Sequence, residues 1–104
     1  MPRNAIAFEV SDINSDEGAK PGAYAFMIVN DEKIGIQHSC PCGCGMRSAM
    51  WFAGTETKHA GGPEWSASGE WPKVTLSPSI GINPKDEKGY HWHGYLTNGV
   101  WTEG

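Results

Sequence analysis

Apolar residues recur at a spacing of two along much of the chain, the period of strands with one buried face. In NAIAFEV the alternation falls on Ile6, Phe8 and Val10, which predicts a half-buried strand. The polar stretch that follows, SDINSDEGAKPG, carries turn formers and Pro21 and is expected to be an exposed loop. AYAFMIV and KIGIQHS flank VNDEK, which has the Asn and Asp of a tight reversal, so residues 23–39 are predicted to form a hairpin. MRSAMWFAG fits a strand and a helical turn equally. Residues 55–72, TETKHAGGPEWSASGEWP, are too long for a simple reversal and are either ordered by contacts or functional. VTLSPSIGI is extended again, with Pro78 pointing to an edge position or a bulge. GYHWHGYLTNGVWTEG places Asn98-Gly99 between aromatic and branched residues, the strongest hairpin signal in the chain. These elements add up to a mainly β, small single-domain antiparallel sheet protein spanning 1–104.

Length agrees with that reading, since 104 residues suffice for one modest core and not for two. The longest apolar run, AYAFMIV, is far short of the roughly 20 residues a membrane helix needs. No basic leader with a hydrophobic stretch opens the chain, and the expectation is a soluble cytoplasmic protein. Net charge is -4 and the eight Lys and Arg are dispersed, which argues against a nucleic acid partner: no basic surface is available to displace counterions from phosphates. Five Trp would suit a stacking platform only beside a basic groove.

Chemistry is concentrated in two places. The only three cysteines, Cys40, Cys42 and Cys44, lie in CPCGCG. Cysteines so spaced are poorly placed for a disulfide, and thiolates among glycines suit zinc. Binding all three thiolates to one ion would demand a strongly curled loop, so one or two are expected to bind. In HWHG, a strand projects His91, His93 and Tyr95 from one face and Tyr90, Trp92 and Leu96 from the other, which lets two imidazoles reach one point. The expected site therefore joins the cysteine loop to the C-terminal hairpin. Two Cys and two His would close a zinc structurally, whereas one Cys and two His would leave a position for water. A catalytic metal also needs an acid, and Glu64 and Glu70 in the Trp-rich loop are the candidates. An exposed loop glutamate is more often simply solvated, and Trp65, Trp71 and Trp92 are more often packing residues. His38 stands at the mouth of the cysteine loop and His59 reads as a bystander. A reactive cysteine, Cys42, with His91 or His93 as base is a further reading, weakened by the clustering of three oxidisable thiols.

The succession CPCGCG, a Trp-rich acidic loop, TLSPSI and HWHGYLTNGVW resembles a family of small proteins of unknown function found in phages and in bacterial ubiquitin-like conjugation operons. That family is described by a Cys-Glu-His-His signature. The resemblance covers Cys40 to Trp101 and implies a zinc site, with the cysteine among Cys40, Cys42 and Cys44, the histidines His91 and His93, and the glutamate on Glu70. It also implies a metal-dependent hydrolase of the peptidase or isopeptidase kind, acting on a protein conjugate. The alternative is a non-enzymatic phage or bacterial module with structural zinc, binding a host protein in the host cytoplasm.

Overall fold

In a computed structural model of the chain, residues 4–58, 61–86 and 89–104 are described, the side chains of 83–86 and 89–91 excepted. His59, and the side chain of His91, lie outside the described residues. Nine strands occur among them: β1 (Ala5–Ile6), β2 (Phe8–Glu9), β3 (Ala23–Val29), β4 (Glu32–Ser39), β5 (Arg47–Phe52), β6 (Glu64–Ser68), β7 (Thr75–Asp86), β8 (Gly89–Thr97) and β9 (Val100–Glu103). They form one sheet in the order β1-β9-β8-β7-β6-β5-β4-β3-β2.

Its two edge strands are consecutive in the chain, and this rolls the sheet into a near-barrel. Residues 5–6 pair with β9 and residues 8–9 with β3, while the Ala7 N–H donates to the Gly99 carbonyl at 2.8 Å and the Phe8 N–H to that of Gly22 at 3.2 Å. Across the same seam the Trp101 Nε1–H reaches the Gly22 carbonyl at 3.2 Å. The change of partner at Ala7 costs the expected alternation its phase: Ala7 is buried and Ile6 is 75% exposed. A single-residue slip of this kind exchanges the two faces of a strand.

Both expected hairpins form. Asn30 and Asp31 turn β3 into β4 with φ of 53° and 61°, and Asn98 and Gly99 turn β8 into β9 with φ of 48° and 78°. Positive φ at both central residues gives the turn twist that matches paired strands. Within MRSAMWFAG the residues RSAMWF form strand β5, and the Trp-rich loop contains the short strand β6. Pairing is chiefly antiparallel, but β2 with β3 and β5 with β6 run parallel, each after an intervening connection of about a dozen residues. Among the described residues no helix is long and apolar enough to cross a membrane.

Inside lie Tyr24, Ile36, Met50, Val74, Leu76, Ile80, Ile82, Trp92, Leu96 and Trp101, together with Cys40. Each fully buried Leu or Ile stabilises the fold by about 1.5–3 kcal/mol. The loop read as exposed is tethered: Ile13 is buried against Ala23 and Ala25, Arg47 Nε donates to its carbonyl at 2.8 Å, and Ser39 Oγ donates to the Gly18 carbonyl.

Candidate active site

Strand β8 carries opposite duties on its two faces. Trp92, Gly94 and Leu96 point into the core, while His93, Tyr95 and Thr97 face solvent, as the period of two in HWHGYLT requires. Directly across from His93 on β7 stands Gly81, which has no side chain to fill the outer face. The imidazole is thereby free to lean toward the next outward residue of β7, and its Nε2 lies 3.0 Å from Ser79 Oγ. Ser79 itself stands where the β7–β8 register shifts between Leu76 and Ile80; β7 is not the edge strand that Pro78 also allowed, and the bulge-like irregularity there displaces this serine from the ladder.

His93 is held from its other side by Gly104. The Nδ1 atom lies 2.9 Å from the Gly104 carbonyl oxygen, and the Gly104 N–H donates to the His93 carbonyl at 3.0 Å. A carbonyl oxygen only accepts, so Nδ1 carries the hydrogen and the neutral ring presents a bare Nε2 to the serine hydroxyl. Close approach of β9 depends on Gly94, where an added Cβ would fall 2.1 Å from the Thr102 carbonyl oxygen. Tyr95 packs edge-on beside the imidazole, ring centroids 6.4 Å apart, and stays 47% exposed. Ser79 Oγ, His93 Nε2, Nδ1 and a carbonyl acceptor thus stand in line within hydrogen-bond reach. That is the arrangement in which an imidazole takes the proton of an attacking hydroxyl.

The cysteines form a separate centre. The Cys40 N–H donates to the Met46 carbonyl at 2.8 Å and the Gly43 N–H to that of Cys40 at 3.0 Å, which closes residues 40–46 into a tight loop. Gly43 and Gly45 take φ of 88° and 84°, the left-handed conformation that suits glycine. The loop curls more strongly than the sequence suggested, and all three Sγ atoms lie within 4.8 Å of one another. Cys40 is buried, Cys42 half-buried and Cys44 exposed, with Cys40 Sγ 3.2 Å from Cys42 Sγ. Burial pushes the Cys40 thiol up to about 12, so a thiolate there requires a cation to neutralise it. Three converging soft donors on a glycine-rich loop fit a thiophilic metal such as zinc.

Among the described residues these three cysteines are the one group of three or more His, Cys, Asp or Glu donors close enough to share an ion. His93, expected as a ligand, is not in that group, and its ring nitrogens face Ser79 Oγ and the Gly104 carbonyl. A metal site joining the cysteine loop to the C-terminal hairpin is thus supported on the cysteine side alone. Glu64 opens β6 opposite Trp51, and Glu70 lies between β6 and β7; both are exposed. Ser79 was not anticipated as a site residue. Its signals are a serine beside a bulge-forming proline in TLSPSI and a glycine opposite the histidine, both meaningful only once the register of β7 on β8 is known.

Residues 10–103 match the family described as bacterial ubiquitination-like system serine protease (BubE), and the chain belongs to that family. It is thereby tied to bacterial ubiquitin-like conjugation systems, as the sequence resemblance implied, but under the description of a serine protease rather than a Cys-Glu-His-His family. Comparison with curated proteins and with solved structures finds no match.

Proposed function

We propose that this chain, a member of the BubE family, is a serine hydrolase acting on a protein conjugate of a ubiquitin-like modifier, with Ser79 as nucleophile and His93 as general base. The observation that carries the reading is the 3.0 Å approach of Ser79 Oγ to His93 Nε2, with the imidazole tautomer fixed by the Gly104 carbonyl. Ser79 Oγ attacks the carbonyl carbon of the scissile bond while its proton passes to His93 Nε2. The resulting tetrahedral adduct expels the leaving group, which takes that proton, and an acyl-serine remains. Water then attacks the acyl carbon, His93 accepts its proton and returns it to Ser79, and the free acid departs.

This scheme moves the nucleophile from a metal-bound water to a serine, and it needs neither Glu64 nor Glu70 as base. Cys40, Cys42 and Cys44 would hold a zinc ion, with His91 as the sequence's remaining candidate for a fourth ligand. When bound, the ion supplies thiolate neutralisation and a cross-link of the loop between β4 and β5.

The test is labelling by a fluorophosphonate, which bonds to an activated serine hydroxyl with loss of fluoride. Ser79→Ala and His93→Ala should each lower the labelling rate on the order of 10³-fold or more, and Ser77→Ala should leave it unchanged. Equal labelling of Ser79→Ala and wild type would remove the proposal, and a fully folded chain that never labels would favour the non-enzymatic binding module.

A further inference from the structure

We infer that Trp65 is a positioning residue for the nucleophile, an inference that rests on the reading of Ser79 given above. Strand β6 runs antiparallel to β7 through Ser68–Thr75, Ala67–Leu76 and Ser66–Ser77. One residue further, β6 changes allegiance. Trp65 is in register with Phe52 of β5, and its carbonyl accepts the Ala53 N–H at 2.9 Å. On its other side, the β7–β8 register is interrupted between Leu76 and Ile80. The backbone at Ser79 thus stands where the ladders on both flanks give way.

The Trp65 side chain takes over what its main chain has left. Its indole Nε1–H donates to the Ser79 carbonyl oxygen at 3.2 Å. Trp65 is also the one sheltered residue of β6, for Glu64, Ser66, Ala67 and Ser68 are all exposed, and its ring packs against the core. A strand that contributes so little else to the core delivers one rigid donor to the nucleophile's peptide group. Because the half-buried ring packs against the core, rotation of the peptide at Ser79 breaks that bond, which restrains the backbone from which Oγ reaches toward His93.

A hydrogen bond to the nucleophile's own backbone affects the geometry of attack and leaves the binding of remote parts of the substrate untouched. Small misplacements of reacting atoms are costly, up to about 10²-fold for 1 Å. The experiment uses the full chain with Trp65→Phe, and as a second variant 3-benzothienylalanine at position 65, which keeps the bicyclic shape and replaces N–H by sulfur. Fluorophosphonate labelling is followed against probe concentration and pH, alongside thermal unfolding. Both variants should label about tenfold more slowly at saturating probe, with half-saturation within twofold of wild type and an unchanged pH midpoint. The benzothienyl variant should melt within a few degrees of wild type. Maximal labelling rates within twofold of wild type, in a background where Ser79→Ala abolishes labelling, would overturn the inference and leave the dyad standing. Undiminished labelling of Ser79→Ala would instead overturn the dyad, and the role of Trp65 with it.

Discussion

His38 should make the stability of this near-barrel sensitive to mild acid. It occupies an inward position of β4, in phase with Ile34 and Ile36, and is completely buried. Its ring stacks on Trp101 with centroids 4.8 Å apart, and among the described residues neither ring nitrogen meets a partner in good hydrogen-bond geometry, the Ser39 backbone offering a weak contact that offsets burial only in part. Burial pushes its pKa from 6.5 down to about 4, since a charged imidazolium would be stranded in the core. Between those two values the unfolded chain holds a proton that the folded chain refuses, so stability is complete above pH 6.5 and falls as the pH drops toward 4. At about 1.4 kcal/mol per pH unit, the whole window is worth about 3 kcal/mol, with about 2 kcal/mol of it lost between pH 7 and 4.5. That is a large fraction of the roughly 5–15 kcal/mol that holds a domain together.

The assay is urea unfolding followed by tryptophan fluorescence at several pH values, on wild type and His38→Phe, both stripped with a chelator so that metal loss does not contribute. Phenylalanine keeps the stack on Trp101 and has nothing to titrate. Exposed carboxylates titrate alike in both proteins and cancel in the difference. Wild type should lose about 2 kcal/mol more than His38→Phe on acidification, whatever their offset at pH 7. Parallel curves from pH 7 to 4.5 would refute the assignment of a buried neutral imidazole.

Gly94→Ala should place a methyl carbon 2.1 Å from the Thr102 carbonyl oxygen and 2.9 Å from Glu103 Cα, prising β9 from β8. Overpacking of this kind costs about 1–3 kcal/mol, and a Tm fall of roughly 4–8 °C per kcal/mol, together with slower serine labelling, is expected from calorimetry and fluorophosphonate assay. Cys42→Ser should abolish stoichiometric zinc by elemental analysis, and a chelator should lower the Tm of wild type more than that of the variant; identical metal content would exclude Cys42 as a ligand. Glu32 accepts the Glu56 N–H at 2.9 Å and the Thr57 N–H at 2.7 Å, and these bonds hold its carboxyl below the ordinary value. Its contribution is present at neutral pH and lost as the pH falls through that lowered value. Glu32→Gln should speed hydrogen exchange at the Glu56 and Thr57 amides, measured by mass spectrometry.

Much of the sheet could be read directly from local pattern. Asn30-Asp31 and Asn98-Gly99 set two hairpins, and the alternation of HWHGYLT put Trp92 and Leu96 inside and His93 and Tyr95 outside. What failed was long-range. The phase change at Ala7 arises because residues 5–9 close the sheet by pairing with two different strands, and no local pattern encodes the second partner. The same holds for the site. Cys40, Cys42 and Cys44 are neighbours in sequence and were found as a cluster, whereas Ser79 meets His93 only through the register of β7 on β8 and the bulge that shifts it. A histidine pair on a strand invites a metal reading from spacing alone. The hydrogen-bond partners of His93, Ser79 Oγ and the Gly104 carbonyl, favour the proposed role of base instead.

The cysteine loop and the serine–histidine pair are linked through the core rather than through shared chemistry. Cys40 is packed in the same buried cluster as Trp92 and Trp101. Trp92 is the inward neighbour of His93 on β8, and Trp101 of β9 lies across from Leu96, its ring 6.3 Å from that of Trp92 and stacked on His38 at 4.8 Å. A metal held by the loop would therefore stiffen the inner side of the strand whose outer side bears His93. Its removal should loosen the fold and the proposed dyad together, lowering activity through the fraction of molecules correctly packed, without altering which proton moves where. The interior of the near-barrel holds the buried cluster around Trp92 and Trp101, and the proposed reacting groups stand on the outer face instead. Three backbone circumstances hold them there: the glycine opposite His93, the close approach of β9 permitted by Gly94, and the bulge that displaces Ser79.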